Sequence, residues 1–352
     1  MVATKPDFKP ILIVQTAFLG DLVLTTALFK NLRQLWPGHP LILVCRQGVG
    51  SWVRDLKLVE EIFEIKKGNA KSYRRLKNHL SSRSFFRIYC PHQSLRSAMF
   101  VRALRAEKKI GFKTWTSFFT LDTAVVRNLE LPDALRQLSL LGSEFPELQE
   151  KISQYAKEFP SSMIGPVPAW SSLDCRDSIP DCRIPTDVVI FPGSVWATKQ
   201  WTLNGFQELT AKFLARGNQV TLMGGPQEKK LGEAIAQTSP EVKNLIGSTG
   251  LLETLSLLKN AKLVISNDSG GQHLASLAGV PTVSIFGPTV LSLGYRPWNP
   301  QTKVVEMTTL SCRPCGKHGH QKCPLGTHEC MQKISSNRVL EAALQFFKTP
   351  EL

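Results

Sequence analysis

The strongest constraint on this chain is an alternation of short β-branched runs with amphipathic stretches, repeated along its length and broken once by prolines. Residues 11–14 form the first run, and from residue 22 to 35 apolar side chains recur at helical spacing, so a strand feeds a helix. Further strand-like runs fall at 41–45, 85–89 and 109–112, with helical stretches at 72–80 and 95–105. Between residues 160 and 185 the pattern fails, and Pro166, Pro168 and Pro180 stand among Ser, Asp and Gly. A second series then begins at 188–191. A helix over 204–216 is ended by Gly217, a strand follows at 219–223, and Pro226 opens another helix. Strands at 263–266 and 282–286 alternate with helices at 252–259 and 273–278.

Strands that alternate with helices make parallel sheets covered on both faces. The expectation is therefore an α/β protein of two doubly wound domains, 1–165 and 187–352, joined by a linker at 166–186. A length of 352 residues suits two cores better than one. In such sheets ligands bind at the carboxyl ends of the strands, so the expected site is a cleft between the domains.

The formal charge of +15 is unevenly spread. Residues 66–113 hold fourteen Lys and Arg against one acid, Glu107. Such a stretch attracts a polyanion, whether nucleic acid, an anionic membrane surface or a phosphorylated glycolipid; a solvated face without a partner is the plainer reading. The first residues are polar, and the apolar run after them is broken at Gln15, Gly20 and Asp21. Neither a signal peptide nor a spanning helix is read there, and the expected location is cytoplasmic.

Four loops carry the candidate chemistry. Gly20 and Asp21 follow the first strand at the start of a helix, where Asp21 fits either a capping carboxylate or a general base. The loop 191–201 collects Gly193, Ser194, Thr198 and Lys199 before a helix, the donors and single cation that suit a diphosphate, although a solvated surface loop has the same composition. The turn 266–275 carries Asp268, Ser269, Gly270, Gly271 and His273 from a strand straight into a helix. Its glycines let a ligand approach the backbone, and a helix start offers free N–H groups to an anion. His273 fits a donor to a phosphate or sugar hydroxyl, or a packed core residue. Finally, Cys312, Cys315, Cys323 and Cys330, with His318, His320 and His328 among them, fit either a structural zinc site of unusual spacing or a loop of reduced thiols.

What is missing also narrows the choice. There is no Gly-x-x-x-x-Gly-Lys-Ser/Thr loop and no Gly-x-Gly-x-x-Gly after a strand, which disfavours ATP hydrolysis and dinucleotide redox chemistry. No Asp-x-Asp triplet signals a metal-bridged diphosphate, so leaving-group charge must be met by lysine and helix dipoles. A nucleic-acid-binding protein is the alternative from another class. The basic stretch lacks the aromatic arrangement of a known RNA or DNA module, and the 266–275 turn would be left without a use.

Taken together, these loops resemble glycosyltransferase family 9, the lipopolysaccharide heptosyltransferases. The resemblance rests on residues 11–35 with Leu19-Gly20-Asp21, on 189–213, on 267–289 with Asp268-Ser269-Gly270 and Phe286-Gly287-Pro288-Thr289, and on Cys323-Pro324-Leu325-Gly326. It implies a GT-B architecture of two Rossmann-like domains, an acceptor-binding N-terminal domain, a C-terminal domain that binds ADP-heptose, and no metal or other cofactor. It makes Asp21 the catalytic base, Lys199 the donor-phosphate lysine, Ser194 a small phosphate-binding residue, and Asp268, Ser269, Gly270 and His273 the donor loop. Trp201-Thr202 departs from the Trp-Pro of many relatives, and Gly271 is a further departure that bears on donor specificity. The implied partners are ADP-heptose, the lipid A–inner core acceptor and, through residues 66–113, the anionic inner membrane, with the protein peripherally attached and nucleic acid not a partner. The alternative within the family is another nucleotide sugar or acceptor. The cysteine-bearing segment leans the reading toward the enzyme that adds the second heptose.

Overall fold

The computed structural model describes residues 8–182 and 184–347. It divides into two compact units, residues 1–160 with 168–171, and residues 161–167 with 172–352.

The first unit is built on a six-stranded parallel sheet of β1 (Ile11–Gln15), β2 (Leu41–Arg46), β3 (Glu61–Ile65), β4 (Ser84–Cys90), β5 (Arg105–Phe112) and β6 (Thr123–Val125). The order is β3-β2-β1-β4-β5-β6. The second unit repeats the plan with β7 (Val188–Phe191), β8 (Val220–Leu222), β9 (Lys243–Asn244), β10 (Leu263–Asn267), β11 (Thr282–Phe286) and β12 (Thr302–Glu306), in the order β12-β11-β10-β7-β8-β9. Read from β9, the second order is the first one again. Each sheet reverses its winding once, between β1 and β4 in one unit and between β7 and β10 in the other, and the chain leaving those strands opens the crevice where doubly wound proteins bind ligands.

Central strands are apolar on both faces because helices cover both. Every residue of β1, β7, β10 and β11 is buried, with Leu12 and Val14 in one core and Val188, Ile190, Ile265 and Ile285 in the other. Edge strands are less apolar: β3 reads Glu-Ile-Phe-Glu-Ile and β9 is only Lys243–Asn244. Neither they nor β6 and β12 stand out in the sequence pattern.

Two differences from the sequence reading touch the site. The single helix expected over 22–35 starts at Leu19 and is two helices, Leu19–Leu24 and Thr26–Leu35. At the junction the Thr25 hydroxyl donates to the Asp21 carbonyl at 2.8 Å, a bond from a side chain four residues on that flattens and bends a helix. The expected linker 166–186 is shared out between the units. Ala169–Ser171 belongs to the first, and the Trp170 carbonyl accepts from Asn31 Nδ2 at 2.8 Å. Residues 172–182 lie on the second, with the Cys175 N–H donating to the Leu277 carbonyl at 2.8 Å and Lys259 Nζ donating to the Ile179 carbonyl at 2.8 Å.

Candidate active site

In the first unit, Asp21 sits three residues into the helix Leu19–Leu24, on the crossover that leaves β1. Its carboxylate oxygen Oδ2 accepts the Phe18 N–H at 3.2 Å, so the capping role is present. A second property is not explained by capping. Burial, with Asp133 adding like charge, raises the Asp21 carboxyl from 3.8 to about 7. A carboxyl that ionises near neutrality is matched to taking a proton at physiological pH.

A buried polar network carries the helix that holds Asp21. Gln137 Nε2 donates to the Asp21 carbonyl at 3.1 Å and to Asp133 Oδ2 at 2.8 Å, and Gln137 Oε1 accepts from the Thr25 hydroxyl at 2.6 Å. Asp133 is 2% exposed and is paired with Arg127 at 2.5 Å. Gln137, Asp133 and Arg127 lie more than a hundred positions from Asp21, and no local pattern in the sequence points to them.

Across the reversal point, β4 ends at Cys90 and His92 follows. Its Nδ1 lies 2.8 Å from the Thr16 hydroxyl, 2.9 Å from that of Ser97 and 3.3 Å from that of Ser94. Burial, helped by Lys67, lowers His92 to about 4, so the ring is neutral. Arg46 and Lys67 both lie over the Phe18 ring, at 5.0 and 5.2 Å from its centroid. Burial and Arg46 lower the Lys67 ammonium, while Asp21 acts to raise it. Lys67, Arg46 and Arg96 form no salt bridge among the described residues. The carboxyl at this edge is therefore accompanied by cations free to meet an anion.

The second unit brings the remaining candidates to the corresponding edge. Lys199 Nζ donates to Asp268 Oδ2 at 2.5 Å, and both side chains are buried. The Thr289 hydroxyl donates to the same oxygen at 2.6 Å, and Gln272 Nε2 donates to Oδ1 at 3.0 Å. Asp268 is thus saturated by protein and acts as the anchor of Lys199. Buried Asn267 joins the two loops, accepting the Trp201 N–H at 3.0 Å and donating to the Pro192 carbonyl at 2.8 Å.

Ser194 is partly exposed on the first of these loops, where its carbonyl accepts from Gln200 Nε2 at 2.9 Å. Ser269 stands at the N-cap of the helix Gly270–Leu277 without capping it through its side chain, which leaves the first N–H groups of that helix for an anion at Gly270. His273 is 4% exposed and lies one turn further in, beside Gln272, so its placement favours the packed reading over an exposed donor. Gly271 has a packing reason: a Cβ there would stand 2.5 Å from Cγ of Phe191.

Glu228, which the sequence reading did not single out, follows β8 and lies against the same loop. A Cβ on Gly193 would fall 1.9 Å from its carboxylate oxygen Oε1, while Oε2 accepts the Gly225 N–H at 2.8 Å. Burial raises its carboxyl above the ordinary range. Its only sequence signal is its position after a strand and the pair Gly224-Gly225.

The cysteine-bearing segment packs on the Lys199 loop. The Thr198 N–H donates to the His320 carbonyl at 3.0 Å, the His320 N–H returns to the Thr198 hydroxyl at 2.8 Å, and the His318 ring stacks on Trp196. All eight cysteines are free thiols, and no group of three or more His, Cys, Asp or Glu among the described residues is placed to hold a metal ion. Cys312, Cys315, Cys323 and Cys330 lie within electrostatic reach of one another, and the segment is a strap over the loop.

The fold is that of a doubly wound α/β protein repeated twice, with a raised carboxyl after the first strand of one unit and a buried lysine–aspartate pair beside an uncapped helix start in the other, an arrangement that fits a group-transfer enzyme. A family model described as glycosyltransferase family 9 (heptosyltransferase) matches residues 73–325. Lipooligosaccharide heptosyltransferase 2 of Campylobacter jejuni is 33% identical over 46% of this chain and 51% of its own length, so the alignment spans about half of that relative. Lipopolysaccharide heptosyltransferase 2 of Salmonella typhimurium is 23% identical over 94% of this chain and 96% of the relative. Among solved structures, the E. coli ADP-heptose lps heptosyltransferase II superposes with a TM-score of 0.70 at 21% identity, covering 96% of this chain and 98% of that one. The chain belongs to glycosyltransferase family 9, and its fold is the two-domain GT-B fold.

Proposed function

We propose that the protein transfers a heptose from ADP-heptose to the inner core of lipopolysaccharide, with inversion at the anomeric carbon. The observation that carries this reading is the division between the two edges of a family 9 chain: a carboxyl raised to about 7 on the first, and Lys199 anchored beside an open helix start on the second. Asp21 takes the proton from an acceptor hydroxyl as that oxygen bonds to the anomeric carbon. The bond from that carbon to the diphosphate breaks on the opposite face, and ADP leaves. Lys199 and the N–H groups at Gly270 stabilise the departing diphosphate, with Ser194 and Ser269 beside it. Asp268 holds Lys199 in place, and His273 supports the helix. Arg46, Lys67 and Arg96 supply positive charge near Asp21 that suits a phosphorylated or carboxylated acceptor.

The names of the relatives favour addition of the second heptose. We also place the reaction at the cytoplasmic face of the inner membrane, where the basic stretch 66–113 holds the protein to anionic lipid. No helix among the described residues is long and apolar enough to cross a membrane.

The test is incubation with ADP-heptose and heptose-deficient cores of defined length, with chelator present, following ADP release and product mass. A gain of one heptose on a core that already carries one is the expected result. Absence of transfer to every core, from folded protein that binds ADP, would send the search to other sugars and acceptors.

A further inference from the structure

Large apolar side chains exposed singly are ordinary; a cluster of them is informative. Of the twelve large hydrophobic residues exposed among the described residues, six fall within 95–129, and two of these are the most exposed of all, Phe118 at 83% and Trp115 at 75%. Leu95 and Met99 are also exposed and stand one turn apart on the helix Leu95–Arg102. That helix packs on the short helix Ser117–Thr120, and the Arg102 guanidinium lies 5.0 Å from the Phe119 ring centroid. At the helix start, Gln93 Nε2 donates to the Lys113 carbonyl at 3.5 Å, two residues before Trp115.

The turn that carries the aromatics is fixed from within. Thr116 and Ser117 are buried between Trp115 and Phe118, the Ser117 hydroxyl donates to the Thr114 carbonyl at 2.8 Å, and that of Thr120 donates to the Thr116 carbonyl at 2.9 Å. The two rings are therefore held outward by a structured turn. Beside them stand exposed Arg102, over the Phe119 ring, and Lys113, two residues before Trp115, and the one acid between residues 66 and 113, Glu107, is already paired with Lys9 at 2.9 Å.

We propose that Trp115 and Phe118, with Leu95 and Met99, form a wedge that enters the headgroup layer of an anionic phospholipid bilayer while the surrounding Arg and Lys contact lipid phosphates. Aromatic side chains on a preset turn within a basic rim match the headgroup boundary, where apolar bodies are buried and cations find counter-charge. A second copy of this chain is a poor occupant, since its own face would bring the same positive charge. The inference rests on the reading of the acceptor as a membrane-held glycolipid and adds the element that seats the first unit on its surface.

The experiment uses the full chain and vesicles of phosphatidylcholine with or without phosphatidylglycerol, in low and high salt. Wild type should sediment with the anionic vesicles. The pair Trp115→Ser with Phe118→Ser should bind them at least tenfold more weakly, yet transfer sugar to a water-soluble core at the wild-type rate. Brominated acyl chains should quench wild-type fluorescence by more than that of Trp115→Phe. Equal binding by wild type and the double variant, absence of Trp115-dependent quenching, or no vesicle binding by wild type would each overturn the wedge. So would a wild-type dimer that the double variant dissociates, which would assign the face to a second copy. Loss of sugar transfer by wild type itself is read separately on the soluble core, and it would count against the transferase reading rather than the wedge.

Discussion

In the first sheet, the chain leaving β1 carries Asp21, a carboxyl raised to about 7 by burial and by Asp133, with Arg46, Lys67 and Arg96 nearby in no salt bridge. In the second sheet, the chain leaving β7 carries Lys199, and the chain leaving β10 carries the Asp268 that pairs with it at 2.5 Å. The strand order is the same in both, so the backbone plan does not decide what each edge does. The side chains do. On the first edge a charge is left costly and therefore movable; on the second it is fully bonded and therefore fixed. The roles proposed for them, exchanging a proton and holding a diphosphate, call for those opposite arrangements.

The largest effect expected from breaking this contrast falls on turnover. Asp21→Asn removes the proposed base, and the rate should fall by roughly 10²–10⁴-fold, the usual worth of a positioned general base. The same variant reports on the raised carboxyl through stability. Because folding favours protonated Asp21, its contribution is full below the unfolded value near 3.8 and is lost as pH rises toward about 7. Thermal unfolding across pH should therefore find Asp21→Asn more stable than wild type above neutrality, with the gap closing toward pH 4.

Next in size is Lys199→Met, which strands a buried carboxylate. Breaking such a pair costs about 3–5 kcal/mol, less whatever Thr289 and Gln272 retain through their bonds to Asp268. Denaturant unfolding should show that loss. The double variant Lys199→Met with Asp268→Asn should recover much of the stability and none of the turnover. Recovery of both would remove Lys199 from the chemistry.

Smaller still is Gly271→Ala. Its Cβ would meet Phe191 at 2.5 Å, and overpacking of this kind costs about 1–3 kcal/mol, seen as a lowered Tm with the acid–base behaviour of Asp21 unchanged. The smallest effect sharpens the other side of the contrast. Turnover of wild type should rise with pH through about 7, and Asp133→Asn, by removing a like charge, should move that midpoint downward. A midpoint that stays in place would mean that Asp133 does not set the ionisation of Asp21.

Much of this contrast is legible in the sequence, because the loops that matter each run from an apolar strand into a helix. Asp21, Ser194, Lys199 and Asp268 all stand on such loops, and the two series of strands and helices are visible without coordinates. The edge strands β3, β6, β9 and β12 are not, since short or charged segments carry little periodicity. Nor is the support of the site. Gln137 reaches Asp21 from 116 residues away, and Asn267 reaches Pro192 from 75, through neighbours that only sheet order brings together. Composition alone could not tell whether Lys199 was solvated or whether Asp21 was merely a cap; Lys199 is buried against Asp268, and the Asp21 carboxyl both accepts the Phe18 N–H and is raised by burial.

The most direct test of the division between the edges is calorimetric titration of ADP into wild type, Asp21→Asn and Lys199→Met side by side. The account predicts that Asp21→Asn binds ADP as wild type does, and that Lys199→Met binds it at least tenfold more weakly. Equal weakening in both variants, or weakening only in Asp21→Asn, would contradict it.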